Sequence, residues 1–283
     1  MSDLAKVQIA QLHYVEELSK QDIATRLGMS RFKVARLLAQ ARSDGLVRIE
    51  IEQPLPVDTQ AGRALERTFG LDLAVVTAEP GALARAAAAW LPEWLGEQRT
   101  LGVGWGRTLA AVADELEPRP ELHVDVVQVC GAIAGLEAGT TAIEVTLRVA
   151  EKLGGRAAVL AAPAVASRRA RDELLAHAAV APTVARWAGL DLVLAGIGGH
   201  LPGAPPAAVG HLLVQSFDAE GELLDTRPAG HAIAIDADRL RATRVMAVAG
   251  GEDKHAAVRA ALRTGLLDVL VCDAATAAHA LSA

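Results

Sequence analysis

Seven short aliphatic runs constrain this chain more than any other feature. They are Leu73–Thr77, Leu101–Gly104, Val124–Val129, Ala157–Ala161, Leu192–Ala195, Val245–Ala249 and Val269–Cys272. Each is apolar at successive positions, not at alternate ones. Strands of that kind have both faces covered, as in a parallel sheet flanked by helices. Helical stretches separate the runs, so the order reads β, α, β, α. The expected fold class is α/β, with a doubly wound, mainly parallel sheet. Leu212–Asp218, then Ala219–Glu222 and Leu223-Leu224, is expected to form a hairpin or small antiparallel excursion. Hydrophobic residues are 52% of the chain but aromatics only 3%, so Ala, Val and Leu must fill the core.

The runs begin only at Leu73, and what precedes them has a different period. At 283 residues the chain has room for about two domains. Leu4–Tyr14 reads as a helix. Ser19 is placed to cap a second helix that ends at Gly28, and Ser30 to cap a third. The third carries Val34, Leu37, Leu38 and Ala41 at helical spacing. Val47–Ile51 alternates like a short strand, which would make the module winged. Ala24, Gly28 and Val34 stand in the relation A-x3-G-x5-V. In a helix-turn-helix the Ala permits a close helix crossing. The Gly permits positive φ in the turn, and the Val plugs one helix onto the other. Ser30, Arg31, Phe32, Lys33 and Arg36 occupy the turns that would enter a major groove. Arg31 and Lys33 are within reach of base edges or phosphates, and Arg36 and Arg42 of phosphates.

A formal net charge of −6, taken as an average, argues against nucleic acid as a partner. The charge is unevenly placed. Residues 1–52 sum to +1, the rest to −7, and the window Ser19–Arg48 alone to +5. A small basic module precedes a large acidic one. Gln53-Pro-Leu-Pro56 breaks regular structure and marks the joint. The expected division is a DNA-binding domain at 1–52, a linker at 53–56 and a second domain at 57–283. Two cysteines, Cys130 and Cys272, exclude a disulfide framework and a four-thiolate zinc site. No run is long and apolar enough for a membrane span, and Met1–Lys6 lacks the order of a signal peptide. A cytoplasmic protein is expected.

Ligands of open parallel sheets bind beyond the carboxyl ends of strands. Four glycine-bearing loops fall there: Gly102–Thr108, Cys130–Gly135, Gly196–Gly199 and Ala249–Lys254. Glycines let the backbone approach a ligand, and amides at helix N-termini favour an anion. Thr108 adds a hydroxyl, and Arg107 and Lys254 add positive charge. A phosphate on a small molecule fits this set. The first loop is neither a dinucleotide fingerprint nor a P-loop. The eight histidines show no metal-ligand spacing, and no G-x-S-x-G occurs. No metal, cofactor or catalytic residue is assigned.

The ordered set of these segments resembles the SorC-type bacterial transcriptional regulators, sugar-binding regulators related to the central glycolytic gene regulator. Tyr14–Leu38 and Ala41–Ile49 look like their helix-turn-helix region. Gly104–Thr108, Val127–Gly131, Gly196–Gly198, Val209-Gly210, Phe217-Asp218, Ala249–Lys254, Ala260–Gly265 and Asp273–Ala277 match landmarks of the large domain. The resemblance implies a sugar-isomerase-like fold, related to glucosamine-phosphate deaminase and ribose-phosphate isomerase. It implies a DNA-binding regulator of double-stranded operator DNA, not an enzyme. Its effector would be a phosphorylated sugar, and it would act as a homo-oligomer, dimer or tetramer. Carried over by position, Gly104, Gly106, Arg107 and Thr108 would form the phosphate loop, with Lys254 neutralising the charge. Gly131, Gly198 and Gly199 would line the pocket, and His211 would make a polar contact. Three positions depart from the family pattern. Gly199 replaces a Ser or Asp, Cys130 a basic residue, and Cys272-Asp-Ala274 the usual Thr-Asp-Glu. The alternative is a sugar-phosphate isomerase or deaminase with an appended DNA-binding module, using Glu252, Asp253 or His211 as acid–base groups.

Overall fold

The computed structural model describes residues 3–49, 56–79, 81–133, 140–199, 201, 203–224 and 231–282. The chain divides into two compact units, Met1–Pro54 and Leu55–Ala283. The linker expected at 53–56 therefore lies outside the described residues except for Pro56.

The smaller unit holds α1 (Asp3–Tyr14), α2 (Lys20–Arg26) and α3 (Arg31–Ser43). Ser19 and Ser30 cap α2 and α3, accepting from the amides of Asp22 and Lys33, each at 3.2 Å. Between the helices Gly28 takes φ +64°, the left-handed turn that favours glycine. Ile9, Leu12, Ile23, Ala24, Val34, Leu37 and Leu38 pack into one buried cluster. The A-x3-G-x5-V spacing thus does what a helix-turn-helix requires. No strand forms over 47–49, and residues 50 and 51 of that expected strand lie outside those described. The Val47 amide instead donates to Ala41 O at 3.1 Å, closing the end of α3.

The larger unit is a nine-stranded sheet with helices on both faces. Its strands are β1 (Leu73–Thr77), β2 (Thr100–Val103), β3 (Val124–Gln128), β4 (Gly154–Ala158), β5 (Leu192–Gly198), β6 (Gly210–Leu212), β7 (Gln215–Phe217), β8 (Arg244–Val248) and β9 (Val269–Asp273). The order is β1-β9-β8-β5-β2-β3-β4, all parallel, with β6 and β7 as an antiparallel hairpin off β5. Successive strand residues serve opposite faces. Val193, Ala195, Val245 and Ala247 join the cluster with Leu65 of α4 (Thr59–Phe69), Val258 of the helix His255–Arg263 and Ala277 of the helix Ala274–Leu281. Leu192, Leu194, Met246 and Val248 join the other. That second cluster includes Leu91 of α5 (Leu83–Leu95), Val112 of α6 (Arg107–Glu115) and Val145 of α7 (Ala142–Lys152). The runs had to be apolar throughout because both faces are covered.

Two elements differ from expectation. The strand read at Ala157–Ala161 is β4, three residues earlier. It starts on Gly154-Gly155, where a side chain would overlap the backbones of Pro120 and Val124. Leu212–Asp218 is not one arm: the chain reverses at Leu213-Val214, with Leu213 at φ +54°, so β6 and β7 pair within it. A second reversal then brings Leu223 beside Phe217.

An ion cluster ties β3 to β4. Asp125 accepts from Arg156 at 2.8 Å and Arg186 at 2.9 Å, and these guanidiniums hold its carboxyl down at about 2. A depressed carboxylate stabilises the fold above its ordinary pKa of 3.8, and loses that contribution as pH falls through about 2. Arg156 lies in solvent, so the contribution is on the order of 1 kcal/mol. Asp125→Asn should lower the melting temperature at pH 7. The gap to the parent should close between pH 4 and 2. A gap unchanged at pH 2 would exclude the charge as its source.

Candidate functional site

The strand order reverses once. From β2 the chain moves outward to β3 and β4; from β5 it moves the other way, to β8 and β9. A crevice opens at such a reversal, beyond the carboxyl ends of the two strands. A cavity of about 220 Å³ lies there. Trp105, Gly106, Arg107 and Thr108, which follow β2, line one side. Gly196–Gly199, at the end of β5, line the other, and His211, Leu213 and Lys254 complete it.

Gly106 is the N-cap of α6, at φ +112°, and no side chain caps the helix. The amides of the first turn have no partner inside a helix, and Gly106, Arg107 and Thr108 of this helix start line the cavity. The positive end of the helix dipole lies there too. Arg107 and Lys254 are the charged residues of the lining, and no carboxylate is among the lining residues. Lys254 leaves a short 3-10 turn after β8, and its Nζ pairs with the exposed Asp253 at 3.1 Å.

His211 is the most constrained wall. It is buried and stacks on Trp105 with ring centroids 5.8 Å apart. Its Nδ1 lies 2.8 Å from Leu213 O. A carbonyl only accepts, so Nδ1 carries a proton. The imidazole lies directly over Gly198, where a Cβ would overlap it.

The chain matches the family model described as "Putative sugar-binding domain" over residues 54–205 and 204–282. The chain belongs to this family, that of the SorC-type transcriptional regulators. The erythritol catabolism regulatory protein EryD of Brucella abortus is 29% identical, over 97% of this chain and 95% of that protein. The deoxyribonucleoside regulator of Bacillus subtilis is 28% identical, over 96% and 95%. The full-length sorbitol operon regulator SorC of Klebsiella pneumoniae shares the fold, with a TM-score of 0.73 at 24% identity, covering 99% of each chain. The relatives are regulators, and the isomerase or deaminase alternative finds no support among them. Of its acid–base candidates only His211 lines the cavity; Glu252 and Asp253 do not.

Seven of the nine residues expected at the sugar site of this SorC-type regulator meet at the cavity: Gly106, Arg107, Thr108, Gly198, Gly199, His211 and Lys254. Gly104 and Gly131 do not line it. Gly104 packs against Leu213, so it shapes the wall from behind. Gly131 lies against the backbone of Pro163 and donates to Ile233 O at 2.8 Å. Trp105, Gly196, Ile197 and Leu213 line the cavity without having been singled out. The first three sit inside glycine loops that were. Cys130 and Cys272 are buried, and burial pushes each thiol up to about 12, so neither is a nucleophile.

In the smaller unit Ser30, Arg31, Phe32, Lys33, Arg36 and Arg42 are all exposed. Among the described residues the ion pairs of this unit engage Lys6 and Arg26, and none engages Arg31, Lys33, Arg36 or Arg42. Lys6 takes Asp3 and Asp44, and Arg26 takes Glu16.

Proposed function

We propose that this regulator binds a phosphorylated sugar or related metabolite in the cavity between β2 and β5, and that the ligand controls its binding to operator DNA. The observation that carries the reading is the lining itself. Two cations and an uncapped helix start converge on a lining that holds no carboxylate among the described residues, and Lys254 has only the exposed Asp253 as its partner. Gly106, Arg107, Thr108 and Lys254 would hold the phosphate, and His211 would make a polar contact. Gly198 and Gly199 would line the pocket, and Gly104 and Gly131 would keep the loops in place. Residues 1–52 would read DNA through Ser30, Arg31, Phe32, Lys33, Arg36 and Arg42. Residues 57–283 would bind the effector and form the dimer or tetramer that presents two recognition helices to a symmetric site. The ligand must differ in affinity between the DNA-competent and DNA-incompetent states, or it would shift nothing. Such a protein works in the cytoplasm.

A thermal-shift and calorimetric screen of pentose and hexose phosphates beside their unphosphorylated sugars tests this. A phosphate ester should raise the melting temperature where the free sugar does not. Lys254→Ala should weaken it about 10- to 100-fold, the worth of a charge-assisted hydrogen bond. Equal binding of the free sugar, or an unchanged affinity in Lys254→Ala, would remove the phosphate from this site.

A further inference from the structure

Phe32 has no structural reason to be where it is. It is 87% exposed, at the second position of α3, and is the most exposed large hydrophobic side chain among the described residues. The ring takes no part in the buried cluster of this unit. Its position on the helix is informative. Val34, Leu37, Leu38 and Ala41 form the buried stripe. At about 100° per residue, Phe32, Arg36, Ala39 and Ser43 form the row on the opposite side. Arg31 and Lys33 project to either flank of that row. All of these residues are exposed.

Charge selects the occupant of this face. Arg31, Lys33 and Arg36 flank Phe32 along this helix and have no ion-pair partner among the described residues, while the acids Glu16 and Asp44 are engaged with Arg26 and Lys6. An apolar partner alone would leave these cations without a counter-charge. A duplex groove supplies both halves: phosphate walls for the flanking cations, and a floor of base edges for the central row. Of the groups on that floor, the thymine C5-methyl is the one an apolar side chain recognises.

We infer that Phe32 reads a thymine methyl, with Arg36 beside it on the same row facing base edges and Arg31 and Lys33 on the phosphates. Along the helix Phe32 and Arg36 are about 6 Å apart, roughly two base steps. This inference rests on the DNA-binding reading above and deepens it. It also moves Arg36 from the phosphates, where the sequence alone put it, to the groove floor.

The test uses the full-length protein and duplexes that it enriches from a randomised library. Each thymidine of an enriched duplex is replaced in turn by deoxyuridine, which removes only the C5-methyl. At one position per half-site the parent should bind about fourfold more weakly, the worth of one buried methyl-sized group. Phe32→Ala should bind thymidine and deoxyuridine duplexes alike, with an unchanged circular dichroism spectrum. An equal thymidine preference in parent and Phe32→Ala would overturn the inference. So would a change of mass in light scattering for Phe32→Ala without a change in that preference, since the ring would then cover a second copy. Should no duplex be enriched at all, the DNA-binding reading falls, and this inference with it.

Discussion

Leu37→Ala should weaken DNA binding at least tenfold while the larger unit keeps its melting transition and its effector affinity. Leu37 is 3% exposed and sits at the centre of the cluster from α1, α2 and α3. Truncating a buried Leu to Ala costs about 2–5 kcal/mol. A unit of this size has little to lose. At 0.05–0.15 kcal/mol per residue, its stability is about 3–8 kcal/mol. The substitution therefore removes most of what holds the three helices together. When the competent fold is a minor species, the apparent Kd rises in inverse proportion to its population. A loss of at least tenfold in affinity for an enriched duplex is expected. Fluorescence anisotropy reports the DNA, and calorimetry reports two transitions, of which only one should move. Its cluster draws only on residues of the first unit, so Leu37 has no part in the sheet's two cores. If DNA affinity held while the small transition vanished, the basic helix would bind without its fold and the docking geometry would be wrong.

What the sequence shows and hides follows from the kind of signal each element gives. Six of the seven aliphatic runs fall on strands within a few residues, because burial on both faces forces the pattern directly. The seventh, β4, was misplaced because its start is two glycines. They are there for the close approach of Pro120 and Val124, and that approach is a tertiary fact. The hairpin hides its turn for a similar reason. Leu213 adopts positive φ with no glycine to announce it, and it is buried against the loop that bears Gly104. Glycine loops are the sharpest case. Gly131 and Gly198 look alike in sequence. One faces the backbone of Pro163 and the other a histidine ring in the cavity wall. Nothing local distinguishes them. The strand order decides it, since only the loops of β2 and β5 flank the reversal. Lys254 and Arg107 were legible because a cation in a glycine loop has few structural uses. Trp105 was not, because an indole is read first as core.

Gly198→Ala should destroy the effector site, and Gly199→Ala should leave it intact. The two glycines are adjacent at the end of β5, and both line the cavity. A Cβ at 199 would meet Asp253 O at 3.6 Å and Lys254 Nζ at 3.7 Å, which is ordinary contact. A Cβ at 198 would overlap the His211 imidazole. The ring cannot yield by a small tilt. It is stacked on Trp105, tied to Leu213 O, and carried by the strand paired with β5 at Gly198 itself. It must therefore rotate out of its place, breaking the hydrogen bond and occupying the space where the ligand would lie. Forcing extra volume into a packed site costs about 1–3 kcal/mol in stability. The effect on binding should be larger, with the thermal shift given by a sugar phosphate lost in Gly198→Ala and retained in Gly199→Ala. The double variant Gly198→Ala, His211→Ala separates the two causes. Removing the ring makes room for the methyl, so stability should recover to near that of His211→Ala alone. Effector affinity should return only in part, because the polar contact of His211 is gone. If Gly198→Ala bound the phosphate ester as well as the parent does, His211 would not be a wall of the site, and the ligand would have to enter from the Lys254 side alone.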